Sequence, residues 1–305
     1  MTVVTSEWDS VLDKVEWLRG RPRTVERLSG GLTNVNLKVT SGDQCVVVRV
    51  AQEGSELLAI DRVAEHENSV AAAQSGVGAP VVDYVSDAGL LIVGYIDGVT
   101  LTEDDVRRGD RLARIADACR TLHAGPRFVN EFDMFTIQRG YLELARRNGF
   151  RIPDRYLDFL PQVERMQQAF ARLPIRTVPC NNDLLAGNFI DDGSKIWLID
   201  YEYSGNNDAC FELGNVWSES NLSLDQLDEL MEAYDGEHLR HRVARARLWG
   251  LMSKYGWTLW ASIQSSVSQI EFDFWSWGME KYERAVAEFT GPDFGRLVED
   301  TQRTD

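Results

Sequence analysis

Short apolar runs dominate the first third of the chain, and their length and Val/Leu content are typical of β-strands. Glycine-containing turns separate several of them, as at Gly30-Gly31 and Gly42. Five runs predict strands: Thr24–Leu28, Val35–Val39, Cys45–Val50, Val81–Val85 and Leu90–Val93. Between the third and fourth runs, Leu57–Gln74 carries apolar residues at helical spacing, so this segment predicts a helix.

Beyond residue 96 the pattern becomes mainly helical. Arg111–His123 places Leu112, Ile115 and Leu122 on one face, with the period of an amphipathic helix. An interruption follows at Val178–Asp200, within which Lys195–Ile199 predicts a short strand. Further helices are predicted at Glu143–Asn148, Tyr156–Leu173, Leu224–Tyr234 and Arg240–Ile270.

Strands that precede helices, without a repeating βαβ order, predict an α+β fold of two lobes with a cleft between them. We expect a small antiparallel-sheet lobe at residues 1–95 and a larger, mainly helical lobe at residues 96–305. Gly94–Gly98 would connect the two lobes. Because a third glycine and parallel strands are lacking, Gly30-Gly31 does not predict a dinucleotide-binding motif.

Composition narrows the classes of protein to consider. The 305 residues are 44% hydrophobic, which is enough for a large core, and the net charge of −16 argues against a nucleic-acid binder. The four cysteines form no CxxC pair, which argues against zinc. No uncharged apolar run reaches the roughly 18 residues of a membrane span, and no leader is evident. We therefore expect a cytoplasmic protein with reduced thiols.

One motif carries specific chemistry: Asn182-Asp183, then Asn188, then Asp200 at the end of a predicted strand. Phosphoryl transfer of the kinase type needs a base near the acceptor hydroxyl and two oxygen ligands for Mg²⁺. The spacing predicts Asp183 as the base and Asn188 and Asp200 as the metal ligands. Taken singly, each would be a turn residue. Glu202 is a further candidate carboxylate beside the metal.

A cation within an apolar strand is the first candidate on the nucleotide side. Arg49 stands in a run of valines, where an unpaired charge is costly to bury. We expect Arg49 to clamp the phosphates of ATP and to be held by an acid of the following helix. Glu65 is the favoured partner and Glu67 the reserve. The competing interpretation is an edge-strand arginine that points to water.

The turn between the first two predicted strands is a candidate phosphate-binding loop. Its glycines allow the backbone to approach a ligand closely, although any hairpin turn has a similar composition. The connecting segment adds two candidates for nucleotide contact. The predicted nucleotide-binding residues, besides Arg49 and Glu65, are Gly30, Gly31, Thr33, Asn34, Tyr95 and Ile96.

Five of the nine tryptophans lie between Trp249 and Trp277. Trp257 and Trp260 are three residues apart and so share one helical face. Periodicity alone favours core packing for such a cluster. The alternative is a cation–π cage for a quaternary ammonium group, with an acid such as Glu219 adding Coulomb attraction.

Together these residues resemble the choline/ethanolamine kinase family, a branch of the aminoglycoside-phosphotransferase-like kinases. The resemblance covers nearly the whole chain in order. The matching segments are Gly30–Asn34, Val48–Val50, Asp61–Asn68, Cys180–Asp183 with Asn188, Ile199–Ser204, Trp257–Gln264 and Ile270–Phe274. The family pattern has His where this chain has Asn181, so the bracing of the catalytic loop differs.

The resemblance implies a protein-kinase-like two-lobed fold and transfer of the ATP γ-phosphate to the hydroxyl of choline, with Mg²⁺. It places Trp257, Trp260 and Trp277 in a cation cage, with Tyr203 and Glu219 nearby, and so favours the cage over core packing. The expected partner is a small cationic alcohol rather than a nucleic acid or a membrane. The alternative acceptors are an aminoglycoside, ethanolamine or thiamine, and the alternative class is a catalytically silent kinase-like binding protein.

Overall fold

The computed structural model describes residues 7–51 and 55–304 and shows a sheet lobe followed by a helical lobe. The sheet lobe has five antiparallel strands in the order β1-β2-β3-β5-β4. All five strands that the apolar runs predict are confirmed. In chain order they are β1 (Thr24–Arg27), β2 (Asn34–Ser41), β3 (Gln44–Ala51), β4 (Val81–Val85) and β5 (Leu90–Gly94).

Two helices accompany this sheet, α1 (Asp9–Leu12) and α2 (Arg62–Ser75). Leu12 and Leu18 pack on one sheet face, in a cluster with the inward side chains of the strands. The second helix begins five residues later than predicted, because a 3₁₀ turn at Ser55–Leu58 and a positive φ of 58° at Ala59 come first. The Asp61 carboxylate then caps α2 by accepting from the amide of Val63.

The helical lobe also holds two small antiparallel sheets, β6-β8-β9 and β7-β10. Its strands are β6 (Val99–Thr100), β7 (Val178–Cys180), β8 (Phe189–Asp191), β9 (Ile196–Leu198) and β10 (Gly205–Asn207). Its helices are α3 (Glu103–Val106), α4 (Arg111–His123), α5 (Met134–Asn148), α6 (Leu160–Arg172), α7 (Ala209–Glu219), α8 (Leu224–Asp235), α9 (Arg240–Val267), α10 (Phe274–Thr290) and α11 (Phe294–Asp300). The two-lobed α+β fold is thus confirmed.

Two helices that matter for the site, α7 and α10, were not predicted. All eleven residues of α7 are buried, polar ones included, so its sequence has no exposed face and no clear amphipathic period. The N-cap of α10 is Asp273, whose side chain accepts from the amide of Ser276, in a stretch whose aromatic residues obscure the helical pattern. Within the described ranges, no helix is long and apolar enough to cross a membrane.

The central helix of the lobe is α9, which packs against α5, α7, α10 and α11. It approaches α7 closely because glycines face each other at the crossing. A Cβ atom at Gly214 would collide with the carbonyl oxygen of Ala246, and one at Gly250 would meet the Trp217 ring. The distance between α7 and α9 therefore depends on the absence of side chains at these two positions.

Gly214→Ala is expected to lower the free energy of unfolding by roughly 1–3 kcal/mol, because the added methyl group must push α7 and α9 apart. Chemical denaturation monitored by circular dichroism measures this change.

Gly140→Ala is the matched control, since Gly140 lies within α5 and a Cβ there meets nothing within 4 Å. Because alanine favours a helix more than glycine does, this variant should leave the free energy of unfolding unchanged or raise it by up to about 1 kcal/mol. Equal losses in the two variants would contradict the close-approach argument.

Candidate active site

The loop between β7 and β8 carries Asp183, and a buried acid on α7 fixes the loop backbone. Glu212 accepts hydrogen bonds from the amide nitrogens of Asn181 (2.8 Å) and Asn182 (2.7 Å), one at each carboxylate oxygen. Its side chain is completely buried, where a carboxylate needs such partners. The spacing of the kinase motif does not identify Glu212. The sequence feature that could have indicated it is an acid between Phe211 and Leu213, within an apolar run.

Asn181, which stands where the family pattern has His, joins this loop to the segment after β9. Its side-chain Nδ2 donates to the carbonyl oxygens of Ile199 (3.1 Å) and Asp200 (2.9 Å). Its Oδ1 accepts from the amide nitrogen of Asp183 (3.1 Å). The amide side chain thus braces both acidic residues, which accounts for an asparagine at this position.

The three residues of the predicted kinase motif lie together. Asn188 donates from Nδ2 to the carbonyl oxygen of Asp183 (2.7 Å), which leaves its Oδ1 as the oxygen available to a ligand. Asp200 adopts a left-handed conformation (φ 65°), as does Asn182 (φ 68°). Residues other than glycine rarely adopt this conformation, Asn and Asp more readily than most, and such residues cluster at active sites. Asp183, Asn188 and Asp200 all line one cavity.

Asp183 lies among carboxylates. Burial, followed by the charges of Glu219, Asp200 and Glu202, raises the pKa of Asp183 well above its ordinary value, and Lys281 opposes the shift. Such a carboxylate accepts a proton more readily than an ordinary aspartate does.

The cavity at Asp183 measures about 90 Å³ and has aromatic walls. Trp257 meets Tyr203 edge to face, with ring centroids 4.9 Å apart. Trp260 donates from Nε1 to the Tyr203 hydroxyl (2.7 Å), and its ring meets that of Trp277 edge to face, with centroids 5.7 Å apart. These four rings and Glu219 all line the cavity, so the predicted acceptor residues lie together.

The other two tryptophans of this region lie elsewhere. Trp249 is buried and donates from Nε1 to Asp208 (2.7 Å), so it is a core residue. Trp275 has the Arg151 guanidinium 3.7 Å over its ring. The five tryptophans are therefore divided among the core (Trp249), a cation–π contact (Trp275) and the cavity wall, and periodicity does not separate these roles.

A larger cavity of about 490 Å³ lies between the lobes. Gly30, Gly31, Arg49, Tyr95 and Ile96 line it, all of them predicted nucleotide-binding residues. The two cavities meet, because four residues line both. They are Gly31, Leu185, Asn188 and Asp200.

Arg49 is buried in an ion-pair network that joins the lobes. Its Nη2 lies 2.6 Å from Asp200 Oδ1, and its Nη1 lies 3.2 Å from Glu65 Oε1. Glu65 is therefore the partner, as predicted, while the reserve candidate Glu67 is exposed on α2. Arg62, which motif spacing does not single out, also pairs with Glu65 (2.7 Å).

Thr33 and Asn34 are placed differently from the nucleotide contact that the sequence predicts. Thr33 Oγ1 donates to Glu202 Oε1 (2.6 Å), and Asn34 Nδ2 donates to Glu202 Oε2 (2.8 Å). Burial and the charge of Asp200 raise the pKa of Glu202, and Arg49 opposes the shift. In this loop the two glycines face the large cavity, and the polar side chains hold Glu202.

Several known proteins are similar to this chain in sequence. The family model described as choline/ethanolamine kinase matches residues 25–238. Ethanolamine kinase 2 of Rattus norvegicus is 28% identical over 302 residues, covering 88% of this chain and 76% of the rat protein. Protein LicA of Haemophilus influenzae is 28% identical over 246 residues, covering 74% of this chain and 71% of LicA.

The fold agrees as well. A crystal structure of a choline/ethanolamine kinase family protein from Mesorhizobium loti superimposes with a TM-score of 0.85 and 29% identity, covering 97% of this chain and 98% of that one. The chain therefore belongs to the choline/ethanolamine kinase family and is a phosphotransferase that acts on an alcohol group.

Proposed function

We propose that this protein transfers the γ-phosphoryl group of ATP to the hydroxyl of choline or a closely related amino alcohol. The observation that carries the proposal is the junction of the two cavities. Asp183 lies in the aromatic cavity, and Asn188 and Asp200 line both cavities. Such an arrangement supports a base beside the acceptor and metal ligands between acceptor and nucleotide.

The donor set fits Mg²⁺, which prefers hard oxygen ligands and keeps several waters. Asn188 would contribute its amide oxygen and Asp200 its carboxylate. When bound, the ion would neutralise charge on the transferring phosphate. Arg49 also lines the larger cavity, where its two Nη atoms are oriented by Glu65 and Asp200. A guanidinium held in this way suits contact with phosphate oxygens.

Asp183 is proposed as the base that orients the acceptor hydroxyl and accepts its proton. Its backbone is held on both sides, at the amide by Asn181 and at the carbonyl by Asn188. Because Glu212 also holds the preceding two amides, the backbone that carries the Asp183 carboxylate is fixed before an acceptor binds.

The acceptor cavity favours one compact organic cation. Each aromatic face is worth roughly 0.5–2 kcal/mol to a cation, and a quaternary ammonium needs no hydrogen-bond acceptor. The volume of about 90 Å³ and the closely spaced edge-to-face rings argue against a multi-ring aminoglycoside.

Ethanolamine is the second candidate, because one feature of the cavity suits a primary ammonium group. Glu219 Oε1 is buried without a hydrogen-bond partner among the residues that the structure describes. An N–H donor on the acceptor would satisfy it. One of the similar proteins named above is also an ethanolamine kinase.

Two further parts of the sequence-based interpretation are also proposed. The lobes divide at Tyr95–Ile96, since β5 ends at Gly94 and β6 already pairs with β8 of the helical lobe. The four cysteines are free thiols, which fits a reducing compartment such as the cytoplasm.

Asp183→Asn is expected to lower kcat for ATP-dependent phosphorylation of choline by roughly 10²–10⁴-fold, since the amide cannot accept the proton. The measurement is phosphocholine formation by mass spectrometry, in a panel with ethanolamine, thiamine and an aminoglycoside. Asp87→Asn, on an exposed turn of the sheet lobe, is the control.

Retained turnover in Asp183→Asn would contradict the assignment of Asp183 as the base. If the wild-type protein forms no product with any acceptor and ATP with Mg²⁺ does not raise its melting temperature, the catalytically silent alternative is correct.

Trp257→Leu is expected to raise KM for choline roughly 2–30-fold and to leave KM for ATP unchanged, because one cation–π face is lost. Trp257 is preferable to Trp260, whose loss would also free the Tyr203 hydroxyl. Trp275→Leu, at the ring that stacks on Arg151, is the matched control. Equal changes in both KM values would indicate core packing.

Asn181→Ala is expected to lower kcat roughly 5–100-fold, because two carbonyl oxygens and the amide of Asp183 lose their partner. Asn181→His, which introduces the residue of the family pattern, keeps a ring N–H donor and should retain more activity. Steady-state kinetics measure kcat for both variants. An equal loss of kcat in Asn181→Ala and Asn181→His would show that hydrogen-bond donation from residue 181 does not support catalysis.

A further inference from the structure

A buried lysine lies at the wall of the acceptor cavity. Lys281, on α10, has its Nζ 2.5 Å from Glu219 Oε2, on α7, and 4.1 Å from the centroid of the Trp277 ring. Glu219 and Trp277 both line the cavity. The side chains of the ion pair are only 6% (Lys281) and 3% (Glu219) exposed, so water screens their charges little.

Stability alone is a weak reason for such a pair. Desolvation of two ions offsets most of their attraction, and an apolar pair of similar volume is often at least as stable. The pair does change the net charge that the cavity wall presents to an acceptor. Lys281 neutralises Glu219, occupies one of its two oxygens and covers Trp277 with a cation.

The two candidate acceptors respond differently to this charge. A quaternary ammonium has no N–H group and binds through aromatic faces, so a free carboxylate offers it Coulomb attraction but no hydrogen bond. A primary ammonium is strongly hydrated and must replace its water with hydrogen-bond acceptors. With Lys281 bound to Oε2, the other Glu219 oxygen, Oε1, is left without a hydrogen-bond partner among the residues that the structure describes.

We propose that Lys281 is a specificity-determining residue, which sets the preference between quaternary and primary ammonium acceptors by neutralising Glu219. The inference rests on the proposed function of this site. The lysine acts through Glu219 and not on the reacting atoms. Its replacement should therefore change the ratio of kcat/KM for ethanolamine to kcat/KM for choline, rather than kcat alone.

Lys281→Met is the test, with kcat/KM measured for ethanolamine and for choline. The variant frees both oxygens and the full charge of Glu219, so the ethanolamine-to-choline ratio is expected to rise roughly tenfold. Lys281→Arg, which keeps the cation, should retain the wild-type ratio. Lys195→Met is the control, since this lysine also lies over an indole ring, that of Trp197 (3.5 Å), but does not line the acceptor cavity.

Thermal unfolding checks that each variant is folded. If Lys281→Met is not, Lys281→Gln provides the comparison, because its amide still donates to Glu219 but carries no charge. An unchanged ratio, or the same rise in Lys195→Met, would overturn the inference. A wild-type protein that phosphorylates neither acceptor would instead overturn the proposed function, so the two failures are distinguishable.

Discussion

The contact between Arg49 and Asp200 is the constraint on which the rest of the site depends. One residue belongs to the central strand of the sheet lobe and the other follows β9 in the helical lobe, and their atoms are 2.6 Å apart. A buried arginine must have such partners, since an uncompensated charge in the interior is very costly. The need to pair Arg49 therefore sets how closely the lobes approach and where the cavities meet.

The same network extends to the loop that covers the larger cavity. Glu202 takes hydrogen bonds from Thr33 and Asn34, and Gln264 Nε2 on α9 donates to the carbonyl oxygen of Leu32 (3.0 Å). The loop is thus attached to the helical lobe at both its side chains and its backbone. Its glycines are left to face the cavity, where a bulky residue would obstruct a ligand.

The sequence predicts the fold and much of the site because motif residues are local in the chain. Asp183, Asn188 and Asp200 have a fixed spacing, and Arg49 is conspicuous as one cation among valines. The bracing residues could not be predicted in this way. Glu212 and Lys281 reach the site from helices whose burial on all sides, or aromatic content, hides the amphipathic period.

Side-chain direction is the second kind of information that spacing lacks. Thr33 and Asn34 lie in the expected turn, yet their side chains bind Glu202. Trp249 and Trp257 are both buried on α9, yet only the second lines the acceptor cavity. Which side of a buried helix faces a cavity is decided by its neighbours, here through the close approach of α7 to α9 at Gly214 and Gly250.

A single face of α7 contacts both the loop of the proposed base and the proposed acceptor cavity. Glu212, Asn215 and Glu219 follow the i, i+3, i+7 spacing of one helical face. Glu212 holds the amides of Asn181 and Asn182, Asn215 Oδ1 accepts from the amide of Leu184 (2.7 Å), and Glu219 lines the acceptor cavity. Because one helix carries all three, a shift of α7 would displace the loop of Asp183 and the Glu219 wall of the cavity together. This coupling explains why a polar stripe is kept in a completely buried helix, where apolar residues would pack at lower cost.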